Sequence, residues 1–389
     1  MSKSLLRIAA SFAVLLFAAT DAAAAFRLGV SATLSGANAV NGQSTVNGLN
    51  LALEAINAAG GVGGQPIELV IVDDKGTPVG AQAAFDKLIQ TEKVLMVFGP
   101  TLTPQAEQAW VFSNASGVVA FGTSLTSSHL TRLGPYTFRN AVTEDIMTPQ
   151  SVRLAVAKLK VKRMAAIFQD DDAFAQGAFF AAHPAMLKAG GTLVAREAFT
   201  KDNKEFADRV ARMKAKNPDV LYVSCRANDA AAIIVEARKQ GLNVPVIGNN
   251  NFVSKALYDA AKGAANNVIF TIPWSADDDS PKNVQFIGQY ESKYKVKANH
   301  FAALAFDALY VVAEALKKVP PGADVAAGRQ ALYAALPDVR HEGATGKMKF
   351  VRNKGAGYNA EKDVFTHVYR DGKFEYWKAG MFGLGIGWF

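Results

Sequence analysis

The chain has 389 residues, 50% of them hydrophobic and 20% charged, with a formal net charge of +8. That balance belongs to a packed globular protein and excludes a disordered tail or a fibre, and the length suggests two domains, each with its own core. The basic excess is spread over single Lys and Arg residues with no run of five, so it describes a solvated surface and no nucleic acid is expected as a partner.

In chain order, Lys3 and Arg7 precede the apolar run IAASFAVLLFAAT (8–20), and DAAAA (21–25) offers Ala23 and Ala25 at the A-x-A spacing of a cleavage site. Residues 1–25 therefore read as a secretory signal peptide, removed to leave an exported, periplasmic protein. The apolar run is short for a membrane span. No Cys stands at the cleavage point, so no lipid anchor is expected. Cys225 is the one cysteine of the chain, so no internal disulfide forms and stability must come from packed cores. It ends the apolar stretch LYVSC, where a buried, inert thiol is expected.

Strand and helix patterns then alternate. RLGVS (27–31), PIELVIVDD (66–74), VLMVFG (94–99) and VVAFG (118–122) read as strands. Between them, VNGLNLALEAIN (46–57) puts Val46, Leu49, Leu53 and Ile56 on one helical face, and GAQAAFDKLIQ (80–90) and PQAEQAWVFSNA (104–115) are helical too. The rhythm resumes after TFRNAVTED (137–145) with strands at 164–168, 192–199, 219–224, 244–248 and 267–272. Helices follow at about 282–295, 299–317 and 324–335. The chain closes with GKMKFV (346–351) and DVFTHVYRDGKFEYW (363–377), where Asp371-Gly372 signals a hairpin. Repeated βα order implies an α/β fold of two doubly wound, Rossmann-like units in series, each a parallel sheet with helices on both faces. The joints are the polar segment near Thr143–Asp145, with Glu144 and Asp145, and a second near Pro273 and Trp274. The apolar tail GMFGLGIGWF (380–389) is expected to pack on the second unit or the joint.

Residues 26–130 carry LGVSATLSGANAVNGQSTVNGLNLALEAINAAGGVGGQPIELVIVDDKGTP, followed further on by FGTSLTSSHL, FRNAVTED, QDDDAFAQG and NPDVLYVS. In these elements and their order the chain resembles the leucine/isoleucine/valine-binding family, the type I periplasmic solute receptors of ABC importers. The resemblance implies two lobes joined by a multi-crossover hinge, with a ligand cleft between them. By it, lobe one takes 26–143 plus 274–350 and lobe two takes 144–273 plus 351–389. It also implies a small-molecule ligand, a membrane permease of an ABC importer as partner, a monomer, no cofactor, no metal and no catalysis. The disulfide that often closes a loop in the family is absent, because Gly76 and Leu102 stand at its two places.

The resemblance implies ligand-binding roles for Asn41 in SGANAVNG (35–42), Thr103 in GPTLTP (99–104), and Ser124 and Thr126 in GTSLT (122–126). The chemistry agrees: ligands of doubly wound sheets sit beyond the carboxyl ends of the strands. Hydroxyls with the free N–H groups of a helix start bind a carboxylate without a buried cation, at roughly 1.5–3 kcal/mol per charge-assisted bond. Read on their own, Thr103 followed by Pro104 is a helix cap, and Ser124 and Thr126 are turn residues. Phe174 stands where the family stacks a Tyr on its ligand, and is equally a core residue. Asp170, Asp171 and Asp172 read as a solvated turn rather than a metal site.

Two departures bear on the ligand. Arg226 in YVSCRAND (222–229) stands where a Tyr is frequent, and Asn250 in VIGNNNF (246–252) where amino-acid receptors place a Glu against the ligand's ammonium. A buried ammonium without a counter-charge costs several kcal/mol, and an Arg adds a bidentate anion partner. Both changes favour an amine-free carboxylate, such as an aromatic acid or a keto acid, over an amino acid. A slip of one residue would bring Asn249 or Asn251 to that place, and Arg226 can equally point to solvent. An exported enzyme is disfavoured because the chain has no G-x-S-x-G, H-E-x-x-H or P-loop. The ligand-sensing part of a membrane receptor stays open as an alternative.

Overall fold

The computed structural model describes residues 25–353 and 356–377; the expected leader up to residue 24 and the tail 380–389 lie outside the described residues. Strands β1 (Phe26–Ala32), β2 (Ile67–Asp73), β3 (Met96–Phe98), β4 (Val119–Gly122) and β5 (Thr137–Arg139) form a parallel array in the order β2-β1-β3-β4-β5. Helices α1 (Ala39–Ala58), α2 (Pro78–Asp86) and α3 (Thr103–Ala115) connect its first four strands. After β5 the chain leaves this sheet through α4 (Glu144–Leu159). It then repeats the pattern with β6 (Arg163–Gln169), α5 (Ala173–Lys188), β7 (Thr192–Phe199), α6 (Phe206–Lys214), β8 (Val220–Ser224), α7 (Ala227–Lys239), β9 (Val246–Gly248), α8 (Lys255–Ala261) and β10 (Val268–Ile272). The second array has the equivalent order β7-β6-β8-β9-β10. VAFG of β4 and VLYVS of β8 are buried throughout, as short apolar runs must be when helices cover both faces of a sheet.

The chain next returns to the first sheet. Helices α9 (Pro281–Tyr294), α10 (His300–Leu316) and α11 (Val325–Ala335) precede β11 (Arg340–Gly343), β12 (Gly346–Arg352) and β13 (Tyr358–Lys362), and β13 pairs in parallel with β5. Only then does it cross again, to β14 (Phe365–Arg370) and β15 (Lys373–Trp377) beside β10. This corrects the boundary expected at 350/351: residues 358–362 are a strand of the first sheet, and the crossing comes after Lys362. Polar YNAEK lacks the apolar alternation that marks a strand, and only its pairing with β12 and β5 makes it one.

The chain therefore passes between the sheets three times, after β5, β10 and β13. Buried polar groups tie the first and third crossings together. Asp307 of α10, fully buried, accepts the Ala344 and Thr345 N–H groups at 2.9 and 2.8 Å. Lys362 donates to Thr345 Oγ1 and lies 3.4 Å from Asn140 Oδ1, while Asn140 Nδ2 donates to Leu304 O at 2.8 Å. Burial drives the Lys362 ammonium down to about 8 despite the nearby Asp307 carboxylate. Burial alone would raise Asp307, but contact with His341, Lys362 and Thr345 holds it below its ordinary value.

The apolar FAALAFDALYVVAEAL stretch forms the largely buried helix α10, which crosses α1 closely enough that a Cβ on Gly48 would lie 2.1 Å from Ala302 O. Gly48→Ala should therefore force the two helices apart and lower stability by about 1–3 kcal/mol. Thermal unfolding tests this; an unchanged Tm would mean that the crossing yields without cost.

Candidate functional site

Strand order reverses between β1 and β3 in the first sheet and between β6 and β8 in the second. Loops leaving those strands part at the reversal and open a crevice beyond the strands' carboxyl ends. Beyond the carboxyl ends of β1 and β2, the loops of the first sheet are tied together by Asp74, which is fully buried and accepts from Ser31 Oγ at 3.2 Å, Thr33 Oγ1 at 2.8 Å, Gln105 Nε2 at 3.0 Å and Gly76 N at 3.0 Å. Burial pushes its carboxyl above the ordinary value against the pull of those bonds. Gln105 Oε1 also accepts the Leu102 N–H at 2.8 Å. The helix cap expected of Thr103 is thus corrected: Leu102 holds the cap position and Gln105 satisfies its N–H, while Thr103 is the first residue of α3, buried, with no side-chain capping bond. Asn41 lies half-buried in the first turn of α1.

Ser124 and Thr126 lie on the loop after β4, at 8% and 4% exposure. The Ser124 hydroxyl has no partner among the described residues. Arg139, buried at the end of β5, fixes this loop from behind. Its Nη1 donates to Leu125 O at 3.2 Å and Ser127 O at 2.6 Å, and its Nη2 to Thr131 Oγ1 at 3.2 Å. Burial brings its guanidinium down to about 9.

On the second sheet, Asp172 caps α5 through the Phe174 N–H at 2.9 Å and pairs with Arg226 Nε at 2.7 Å. The guanidinium of Arg226 lies over the Phe174 ring, 4.8 Å from its centroid, and Phe174 is buried. The solvated turn expected at 170–172 is therefore corrected in part: Asp170 and Asp171 are exposed, but Asp172 is buried as a capping and pairing group. Of the three amides, Asn249 binds inward, to Ser224 Oγ and Cys225 O at 3.2 Å each. Asn250 reaches the first sheet, with its Nδ2 at 3.4 Å from Thr126 Oγ1. Cys225 is buried and free, as expected, and burial pushes its thiol well above the ordinary range.

The two sides meet at Glu144, the first residue of α4. Its N–H donates to Thr126 O at 2.9 Å; its carboxyl accepts from Thr148 Oγ1 at 2.8 Å and lies 3.4 Å from the Asn250 N–H. Glu144 is 1% exposed, and burial drives its carboxyl up to about 7, with Asp145 adding to the rise and hydrogen bonds from Thr148, Asn250 and Thr126 opposing it. Asp145 itself is exposed. At the second crossing Pro273 is buried, and Trp274 donates its Nε1 to Asn283 Oδ1 at 2.6 Å and packs on Phe286, in the helical layer of the first sheet. Thr126, Glu144 and Asn250 thus form one cluster and Asp172, Phe174 and Arg226 another. Asn41, Pro273 and Trp274 share hydrogen bonds with neither. From the sequence Glu144 reads as a joint residue and Asp172 as part of a turn, the two acids left to meet an ammonium if the ligand carries one, while Asp74, Gln105 and Arg139 carry no mark. Their partners lie far off in sequence, and an acidic pair opening a helix reads simply as first-turn charge.

A sequence profile described as periplasmic binding protein matches residues 25–364. An amino acid binding protein of Pseudomonas aeruginosa is 29% identical over 267 residues, covering 68% of this chain and 71% of that protein. The branched-chain amino acid transporter substrate-binding protein of Streptococcus pneumoniae, solved with isoleucine, superimposes with a TM-score of 0.78 at 26% identity, over 90% of this chain and 98% of that one. A solute-binding protein of an ABC transporter from R. palustris, solved with benzoate, has the same fold, with a TM-score of 0.76 at 22% identity over 90% and 95% of the two chains.

Glu144 also makes stability depend on pH. Its carboxyl titrates near 4.5 when unfolded and near 7 when folded, so it costs nothing below about pH 4.5, and the penalty grows to on the order of 3 kcal/mol above pH 7. E144Q removes that titration. Relative to the wild type, the variant should gain stability steadily between pH 4.5 and 7, measured by denaturant unfolding at each pH. A difference constant with pH would mean that Glu144 is ionised at no cost.

Proposed function

The chain belongs to the periplasmic binding protein family, and we propose that this ABC-importer receptor closes around a small carboxylate-bearing solute in the crevice between its two sheets. The observation that carries this reading is the Ser124 hydroxyl, buried and without a partner among the described residues, beside Thr126 on the loop that faces Asn250. A buried hydroxyl with no acceptor or donor is costly, and an incoming carboxylate relieves it. The Thr103 hydroxyl at the start of α3 and the N–H groups of its first turn add further donors. Phe174, with Arg226 over its ring and paired to Asp172, supplies a flat wall on the other side.

The three crossings serve as the hinge, with Glu144 and Asp145 at the first and Pro273 and Trp274 at the second. Each sheet with its helices moves as a lobe, and a solute touching both lobes favours the closed form because only that form offers both sets of contacts. Delivery to the membrane permease follows closure. Ligands of the amine-free class fit best: the amide of Asn250 brings no charge, and the benzoate carried by the R. palustris protein is of that class. A second reading, an amino acid, is favoured by Glu144, a buried acid with no ion pair among the described residues, and by the isoleucine of the S. pneumoniae protein.

Calorimetric titration of ligand-stripped protein with matched pairs separates the two: leucine against 4-methyl-2-oxopentanoate, and phenylalanine against phenylpyruvate and benzoate. The amine-free members are expected to bind, and S124A to weaken them about tenfold through loss of one charge-assisted hydrogen bond. Binding by the amino acids alone would sink the amine-free reading. Full affinity in S124A would remove the carboxylate from this loop.

A further inference from the structure

Glu144 is a buried ionisable group for which closure alone gives no use. Thr126, Glu144 and Asn250 come from the loop after β4, the start of α4 and the end of β9, and they meet where the two sheets face each other. The charged and titratable groups facing Glu144 are few. Asp145 on its own helix has the same sign, and Tyr222 of β8 is a buried phenol that feels the Glu144 charge. Arg139 of β5 feels the charge of Asp145. Among the described residues no Lys, Arg or His forms an ion pair with Glu144.

A carboxylate buried without a cation is held as the acid, and here burial places its titration near neutrality. In that form it gains an O–H donor, the one thing the carboxylate lacks. The Thr126 hydroxyl, the Asn250 amide and the Glu144 acid then make three donors at one point, next to the unpartnered Ser124 hydroxyl. Such a set suits an anion and offers an ammonium no fixed charge.

Resting on the carboxylate reading above, we propose that Glu144 sets the ligand class: as a neutral acid it donates its O–H to the solute's carboxylate, selecting an amine-free acid. The balance is simple. A free receptor with ionised Glu144 takes one proton from solvent as the solute binds; the solute stays a carboxylate, and no other bond forms or breaks. Lowering the pH therefore strengthens binding through the window in which the free receptor loses that proton. The resulting short pair of acid and carboxylate is a charge-assisted hydrogen bond of the strong kind.

The experiment is calorimetry on wild type and E144Q at pH 6 and pH 8, each in two buffers of different ionisation enthalpy, with benzoate, 4-methyl-2-oxopentanoate and leucine as probes. For the wild type, an amine-free probe should bind about tenfold more weakly at pH 8 than at pH 6, with about one proton taken up per ligand at pH 8. In E144Q, whose amide still donates, both the pH dependence and the proton uptake should vanish. Absence of proton exchange in the wild type, or uptake that survives in E144Q, overturns the proposal. Leucine binding with proton release, lost in E144Q, overturns it in favour of Glu144 as counter-ion to an ammonium. Failure of all three probes at millimolar concentration, with thermal scans showing both proteins folded, defeats the carboxylate reading itself, and the proposal with it.

Discussion

Polar side chains buried between the facing edges of two sheets set the terms for this structure. The carboxyl ends of β4 and β9 carry Ser124, Thr126 and Asn250, and α4 brings Glu144 between them. Withdrawing these groups from water costs more than their few mutual bonds return, since the contacts across the gap are long, at 3.4 Å. A seam of this kind is only marginally stable by itself. On the proposed reading, a solute with matching acceptors completes it, which would let a small molecule govern the relation between two large bodies.

The surroundings keep the seam in order so that little is spent on arranging it. On the first sheet, Asp74 gathers β1, β2 and α3 through Ser31, Thr33 and Gln105, and Arg139 grips the carbonyls on either side of Thr126. On the second, Asp172 joins the cap of α5 to Arg226, and Asn249 ties the end of β9 to β8. Below the seam, Asp307, Thr345, Lys362 and Asn140 lock two of the three crossings into one unit. These contacts hold the donors of the seam aligned.

Much of this was legible in the sequence, and the illegible part has a common cause. The βα rhythm gave both sheets because buried parallel strands are short apolar runs, and α10 declared itself by composition. Strand β13 did not, since YNAEK is polar and becomes a strand only through its neighbours. Ser124, Thr126 and Asn250 were singled out from strand ends and resemblance, and the structure brings Asn250 to Thr126. Glu144 gave no sign of its burial, because an acid in the first turn of a helix is commonplace and the groups that enclose it include Asn250, 106 residues away. Arg226 was legible as a cation but its engagement with Asp172 was not. Periodicity reveals what a segment does by itself; pairing of polar groups across the chain needs the folded coordinates.

The central claim is that a carboxylate in the seam draws the two sheets together, and a distance between them tests it most directly. Spin labels at Val40 and Lys201, both exposed near the facing edges, can be read by pulsed dipolar spectroscopy, with buried Cys225 left in place. The account expects a broader and longer distance distribution without ligand, narrowing to one shorter distance as a binding carboxylate is added, and no such narrowing in a protein that also carries S124A and T126A. An unchanged distribution at a concentration where calorimetry shows full occupancy would contradict it.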